Sequence, residues 1–310
     1  EGWIIDLTPE GQTPDIPTRI FPGVRQPLAI GLFVRRPNND LDTPADLHYT
    51  ALSGSQADKF AALQRLAIGD PAWRTVRTAW DAPFTPAPAG EWDSWPALSD
   101  LMPWYSPGLF PTRTWVYSPS PETLQRRWAR LVAEPGVEAK NKLMKAGRDA
   151  HATKTFPPLA GADVVTGTET RLEWENRTTT KTVRVGYRAF DRQHVIADRR
   201  LFDMPRPTLW SARQPAQVFT VEMNQRKISA GPAVTFSHLI PDFHYFKGSE
   251  GGRTLPRLHP DGSPNLPDGL TEALSTLLNV PVEASDVLAY VAALAAHPGF
   301  THRFAAELET

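Results

Sequence analysis

The sequence predicts an α+β protein, with mixed sheets, flanking helices and a helical C-terminus. Short β-branched and aromatic runs crowd residues 1–52 and 164–237, the signature of strands. Helical spacing behind proper start signals appears in the separate stretches 56–67, 121–150 and 285–308. Proline, 31 of the 310 residues, punctuates the map between them.

In chain order, residues 3–8 and Leu28–Arg35 (LAIGLFVR) read as buried strands, joined by a Pro-rich loop carrying Arg19 and Arg25. His48–Leu52 is a third short strand. A helix follows over Gln56–Ala67: Ser53 stands at a capping position, Gln56 lies three residues on, and Phe60, Leu63 and Ala67 recur at helical spacing. It must end before Gly69 and Pro71. Trp80–Pro111 is proline-rich with little periodicity and reads as a long excursion or subdomain boundary. Thr114–Ser118 is then strand-like. Ser120-Pro121-Glu122 opens a helix to Ala133 with a cap, a proline at the first position and an acid in the first turn. A basic helix is expected over Val137–Ala150. Strands are expected at Leu172–Trp174, Val183–Ala189, His194–Ala197, Gln217–Glu222 and Val234–Phe236. At the C-terminus, Ser285 caps a helix with Leu288, Val291 and Leu294 on one face, and Pro298 breaks it before a last helix to Leu308.

Function is first hinted at by arginine. Val183–Arg213 holds seven arginines and no lysine, set among Tyr187, Phe190, Phe202 and Trp210. A guanidinium fork matches phosphate oxygens and the guanine edge bidentately and stacks on bases, as an ammonium does not. The competing reading pairs these arginines with Asp191, Asp198 and Asp203 within the protein. Charge distribution favours the first. The chain is near neutral, 33 basic against 34 acidic residues, yet residues 171–227 carry +6 and residues 126–154 carry +5, while residues 1–60 carry −3 and 250–310 carry −5. A basic middle between acidic ends suits one face that neutralises phosphates.

Other classes find less support. No apolar run reaches the ~20 residues of a membrane span, and with no cysteine there are no disulfides or thiolate metal sites. A cytoplasmic protein is the default expectation. The chain enters a strand-like run directly after Glu1, with neither Met nor leader, as a piece excised from a longer polypeptide would. P-loop, dinucleotide, zinc-protease and nucleophile-elbow motifs are missing. His238 and His244 flank Asp242 too widely for a metal site. His297 and His302 suit capping or packing. Lys247–Arg253 is glycine-rich but reads as a surface turn. Phe156-Pro157-Pro158-Leu159 lacks the polar and aromatic ends of an amino-methyltransferase motif.

Four colinear blocks, Gly2–Arg36, Arg113–Leu131, Gly186–Trp210 (GYRAFDRQHVIADRRLFDMPRPTLW) and Asp286–Leu308 (DVLAYVAALAAHPGFTHRFAAEL), together resemble the C-terminal specificity region of type ISP restriction/modification enzymes. The resemblance implies that residues 1–52 are the final strands of a methyltransferase-type sheet, 53–111 a helix and Pro-rich connection, and 112–310 the target recognition domain. It implies a duplex DNA partner and upstream domains in the same polypeptide: an adenine-N6 methyltransferase using S-adenosylmethionine, often with an ATPase and nuclease. The cofactor loop and Asn-Pro-Pro-aromatic motif would lie upstream of Glu1, so catalysis by this chain alone is not expected, nor a cofactor within it.

On that basis Arg188, Arg192, Arg199, Arg200, Arg206 and Arg213 are the candidate central DNA contacts. Arg171, Arg177 and Lys181 are candidate loop contacts. Lys140, Lys142, Lys145, Arg148 and Lys154 suit phosphate. Two rivals stay open: a protein-interaction or structural domain with internally satisfied arginines, and an enzyme with an unrecognised site.

Overall fold

A computed structural model describes residues 1–10, 17–24, 26–37, 40, 42–76, 84–86, 92–147, 151–155, 170–223, 231–246, 252–305 and 307–308. The chain divides into two units, Glu1–Ser94 and Trp95–Glu309. Mixed strands and helices with a helical C-terminus bear out the expected α+β class.

In the first unit β1 (Gly2–Asp6) lies between β2 (Ala29–Phe33), antiparallel, and β3 (Leu47–Ala51), parallel, and β4 (Arg74–Thr75) completes the order β2-β1-β3-β4. Trp3 and Ile4 are buried, but every residue of β2 is exposed. The apolar run that reads as a buried strand is an edge strand. Helix α1 (Gln56–Arg65) is capped by Ser55 and Asp58 in a reciprocal capping box, two residues beyond the expected Ser53, and it stops at Arg65. Its buried Lys59 ammonium donates to Leu7 O and Glu10 Oε2, both at 2.8 Å.

The second unit begins with α2 (Leu98–Leu101) and β5 (Ser106–Pro107), then β6 (Tyr117–Ser118) and α3 (Pro121–Ala133). Of the strand expected over Thr114–Ser118 only the last two residues pair; Thr114–Val116 is a 3-10 turn. Helix α3 begins as its sequence demands, with Ser120 Oγ accepting from Thr123 N at 3.1 Å. Its buried Leu124, Trp128 and Leu131 form the stripe against the core. Helix α4 (Val137–Leu143) is half the length anticipated, because Lys145 takes a left-handed φ of 52° that ends it; Arg148–Ala150 lie outside the described residues. Leu172–Trp174, expected as a strand, is another 3-10 turn.

The hairpin β7 (Thr182–Arg188) and β8 (Asp191–Ile196) continues the sheet as β6-β8-β7. After it come α5 (Pro207–Ser211) and a second sheet of β9 (Phe219–Met223), β10 (Val234–Ser237) and β11 (Gly252–Pro256), ordered β10-β9-β11-β5. The glycine-rich stretch thus feeds a strand, although Lys247–Gly251 lie outside the described residues, as does Phe156–Leu159. Leu109, Val116, Leu124, Trp128, Val185, Val195, Phe202, Trp210 and Phe219 pack into one core that joins α3, α5 and the two sheets. Three helices close the chain, α6 (Leu270–Leu278), α7 (Ala284–Ala296) and α8 (Pro298–Arg303). Glu283, not Ser285, precedes α7 as its cap, its N–H bonded to Asp286 Oδ2 at 2.8 Å. Pro298 starts α8, which ends at Arg303, and His297 Nδ1 accepts from Gly299 N at 3.0 Å in the capping role expected of it. Among the described residues no helix is long and apolar enough to cross a membrane.

Candidate nucleic-acid interface

The arginines of the central block split into buried and presented groups. Arg200 is fully buried: Nε and Nη2 grip Asp198 (2.8 and 2.6 Å), Nη2 also reaches Glu175 Oε2 (2.7 Å), and Nη1 donates to Thr170 O (2.9 Å). Glu175 is shared with Arg177, whose Nε and Nη2 contact it at 2.9 and 2.6 Å. The Arg177 hydrogen bonds, helped by those of Arg200, hold the Glu175 carboxyl far below the carboxylate range, overcoming the opposing effect of burial. Burial disfavours the Arg200 charge, but Asp198 and Glu175 outweigh it and raise its pKa. Lys140 is buried too, its ammonium donating to Val132 O (2.9 Å) and Leu172 O (3.3 Å). Neither Arg200 nor Lys140 has surface to offer a duplex. This corrects the sequence reading: each side chain holds the core's buried carboxylates or carbonyls.

The internal-pairing alternative is therefore right for Asp198, and for Asp203 with a partner outside the block: Arg113 donates to it at 3.0 Å, both side chains buried. Asp191 instead accepts from Gln193 Nε2 at 2.8 Å.

The other cations occupy two ends of the hairpin. Arg171 (over the exposed Trp174 ring, 4.8 Å, and paired with Glu173), Arg177 and the exposed Lys181 lie beside its open end. Arg188 and Arg192 lie at its tip, roughly 20 Å along a strand of seven residues. Arg184 and His194 are direct cross-strand neighbours, as are Gly186 and Arg192, so Arg184 and Arg192 share one face with Gly186 between them. Among the described residues no carboxylate pairs with either. Sequence reasoning passed over Arg184; its alternation with buried Val183 and Val185 was the available signal.

Arg188 is held in place. Nη1 donates to Asp242 Oδ1 (3.0 Å) and Tyr187 O (2.6 Å), and the guanidinium lies 3.9 Å above the Tyr187 ring. Nε and Nη2 make no hydrogen bond with described residues, so one edge of the fork stays available. The segment holding Asp242 runs parallel beside β7, bonded through Gly186 N to Ile240 O (3.0 Å) and Asp242 N to Gly186 O (2.8 Å). Gly186 leaves room for the Tyr245 ring, which a Cβ there would meet at 3.0 Å.

The same segment runs against Gly108–Phe110, with Leu109 N bonded to Pro241 O (2.9 Å) and Phe243 N to Leu109 O (2.6 Å). Phe110 pairs in turn with Met204 through both backbone bonds (3.1 and 3.0 Å). Arg206 follows. In left-handed conformation (φ 55°) before α5, it sends Nε to Gly108 O (3.4 Å) and Nη2 to Met204 Sδ (3.3 Å). Its guanidinium is half-buried, desolvation lowers its pKa, and no described carboxylate compensates. A desolvated cation without a counter-charge is the chemistry of an anion receptor. A Cβ on Gly147, just past α4, would lie 2.8 Å from Arg113 Nη2 and 2.9 Å from Asp203 Oδ2, which brings the exposed Lys145 into the neighbourhood of residues 203–206.

Close contacts thus link the end of α4, residues 108–113, 203–206 and 240–246, and the hairpin tip. Lys145, Arg188, Arg192 and Arg206 stand along that series. Lys142 and Lys154 are exposed nearby in sequence. Arg199 is half-buried with Nη1 on Phe202 O (3.0 Å), Arg213 is exposed just after α5, and Arg148 lies outside the described residues. Among the described residues no three His, Asp or Glu side chains are grouped to hold a metal ion.

Residues 100–310 match the model of the Type ISP C-terminal specificity domain. No curated protein matches the sequence. Solved structures with a similar fold include the following three. The DrdV–DNA complex is 17% identical with a TM-score of 0.56, over 100% of this chain and 32% of that one. The Type ISP restriction-modification enzyme LlaBIII bound to DNA is 14% identical with a TM-score of 0.53, over 99% and 21%. A nuclease-deletion mutant of the Type ISP enzyme LlaGI with a DNA substrate mimic is 15% identical with a TM-score of 0.50, over 100% and 30%. The chain spans a third or less of each of these proteins.

Proposed function

The chain belongs to the Type ISP C-terminal specificity domain family, and from that premise we propose that it holds duplex DNA and reads its sequence while other domains of a larger enzyme act on it. The observation that carries this reading is the pairing of a pinned arginine, Arg188, with a desolvated and uncompensated one, Arg206, through the Gly108–Asp242 contact. A fixed guanidinium with a free edge suits base recognition; a half-buried cation without an acid suits a phosphate. Internal pairing accounts for Arg200 and Arg113 but leaves Arg184, Arg192 and Arg206 unexplained. The larger enzyme would be an adenine-N6 methyltransferase drawing on S-adenosylmethionine in its upstream part, working inside the cell.

Titration of a fluorescent duplex with the chain at increasing salt tests the reading. If roughly six to ten phosphates are neutralised, affinity falls about 10³- to 10⁵-fold between about 50 and 200 mM salt. Absence of duplex binding at low salt, or binding indifferent to salt, overturns it.

A further inference from the structure

The β7–β8 hairpin turns through two residues, Ala189 and Phe190, between the paired Arg188 and Asp191. Phe190 is 99% exposed, more than any other large apolar side chain described. A singly exposed apolar residue is ordinary; the way this one is held is not. Tyr245 fixes the residue before it, its carbonyl accepting from Ala189 N (2.9 Å) and its hydroxyl donating to Ala189 O (3.4 Å). Arg188 ties the same turn to buried Asp242. The backbone is thus clamped, while the phenyl ring touches no described ring or cation and projects into solvent.

We propose that Phe190 is a wedge that enters the base stack of the bound duplex, a proposal that rests on the DNA-recognition reading above. Apolar wedges that unstack a base step work beside cationic side chains, which hold the flanking backbone through its phosphates. Arg188 and Arg192 stand two residues to either side of the ring, and Arg184 continues the row. Of the acids described at the tip, Asp242 is buried and holds Arg188, and Asp191 is engaged by Gln193. A protein hot spot also uses aromatics and arginines, but it sets them in a packed apolar centre, and Phe190 stands clear of other apolar side chains. The surroundings of Phe190 are charged, and a stacked base is the apolar partner that charge can bring to it.

The test uses the duplex best retained from a randomised pool, with adenines replaced one at a time by 2-aminopurine, which brightens when unstacked. The wild-type chain should brighten one step of the site. Phe190→Ala should abolish that signal and weaken binding to the selected duplex by roughly tenfold, while Phe190→Trp should keep both. Being fully exposed, the ring contributes little to the fold, and circular dichroism of Phe190→Ala checks this. Duplex binding without brightening at any step, or an unchanged profile in Phe190→Ala, overturns the wedge and leaves the ring for a protein contact. Failure of the wild-type chain to enrich or bind any duplex overturns the reading beneath it instead.

Discussion

The Arg188 guanidinium meets the Asp242 carboxylate at 3.0 Å across 54 positions of sequence, and the other oxygen of that carboxylate accepts from the Tyr117 hydroxyl at 2.5 Å. One buried side chain therefore fixes a candidate base-reading arginine to β6 and to the segment that runs beside β7. Burial raises the Asp242 pKa against the opposing pull of Tyr117 and Arg188, and burial together with Asp242 raises that of Tyr117. Asp242→Ala should cost about 2–4 kcal/mol through the unpaired Tyr117 and Arg188 donors. It should also reduce sequence preference more than affinity for random DNA. Urea denaturation and paired duplex titrations measure the two effects.

Arg200 predicts a larger effect with no direct DNA component. Arg200→Ala leaves Asp198 and Glu175 buried without their shared cation, and about 3–5 kcal/mol should be lost. A urea midpoint unchanged by this substitution would show that the network is solvated.

Glu175 sets a pH window. Its carboxyl is depressed in the folded chain relative to an ordinary value of 4.5, so its contribution to stability is complete above that value and is lost as pH falls from there toward the folded-state pKa. Glu175→Gln should flatten the acid limb of the stability curve below about pH 4.5. Retention of the wild-type slope in the variant would assign acid lability to other carboxylates.

Gly108 approaches the Asp242 carbonyl so closely that a Cβ would lie 2.5 Å from its carbon and oxygen. Backbone cannot yield as a side-chain tip can. Gly108→Ala should separate the two segments, cost about 1–3 kcal/mol, and disturb Arg206 and Arg188 together. Wild-type stability and duplex affinity in this variant would refute the coupling.

Among the exposed cations, Lys142→Ala and Lys145→Ala should weaken binding to all duplexes alike, each lowering the salt slope by about one unit per lost phosphate contact. Arg188→Ala should instead cost about 1–3 kcal/mol on the selected site and little on random DNA. Equal losses on both duplexes from the arginine substitution would reduce the hairpin to an electrostatic clamp.

Local signals were legible in the sequence and distant ones were not. Ser120-Pro121 starts α3 because a cap and a fixed φ act within a few residues, and the alternation around Val183 and Val185 places the hairpin for the same reason. The fate of each arginine depends on partners elsewhere. Arg200 is drawn inside by Glu175, 25 positions away, as well as by its neighbour Asp198, while Arg192, in a similar local sequence, pairs with no acid among the described residues. Composition located the arginine block but could not divide it into core and surface. The early end of α4 depends on the left-handed Lys145 and on the approach of Gly147 to the Arg113–Asp203 pair, neither of which leaves a mark in helical periodicity.

The open margin of the first sheet has a practical consequence. Along β2 the outer row of N–H and C=O groups has no neighbouring strand among the described residues, and Ile30, Leu32 and Phe33 stand exposed beside it. Such a margin is a template on which further chains can add strand by strand. In concentrated preparations of this chain, the first self-association should be sheet extension through β2, and a lysine at Leu32 should keep the chains apart.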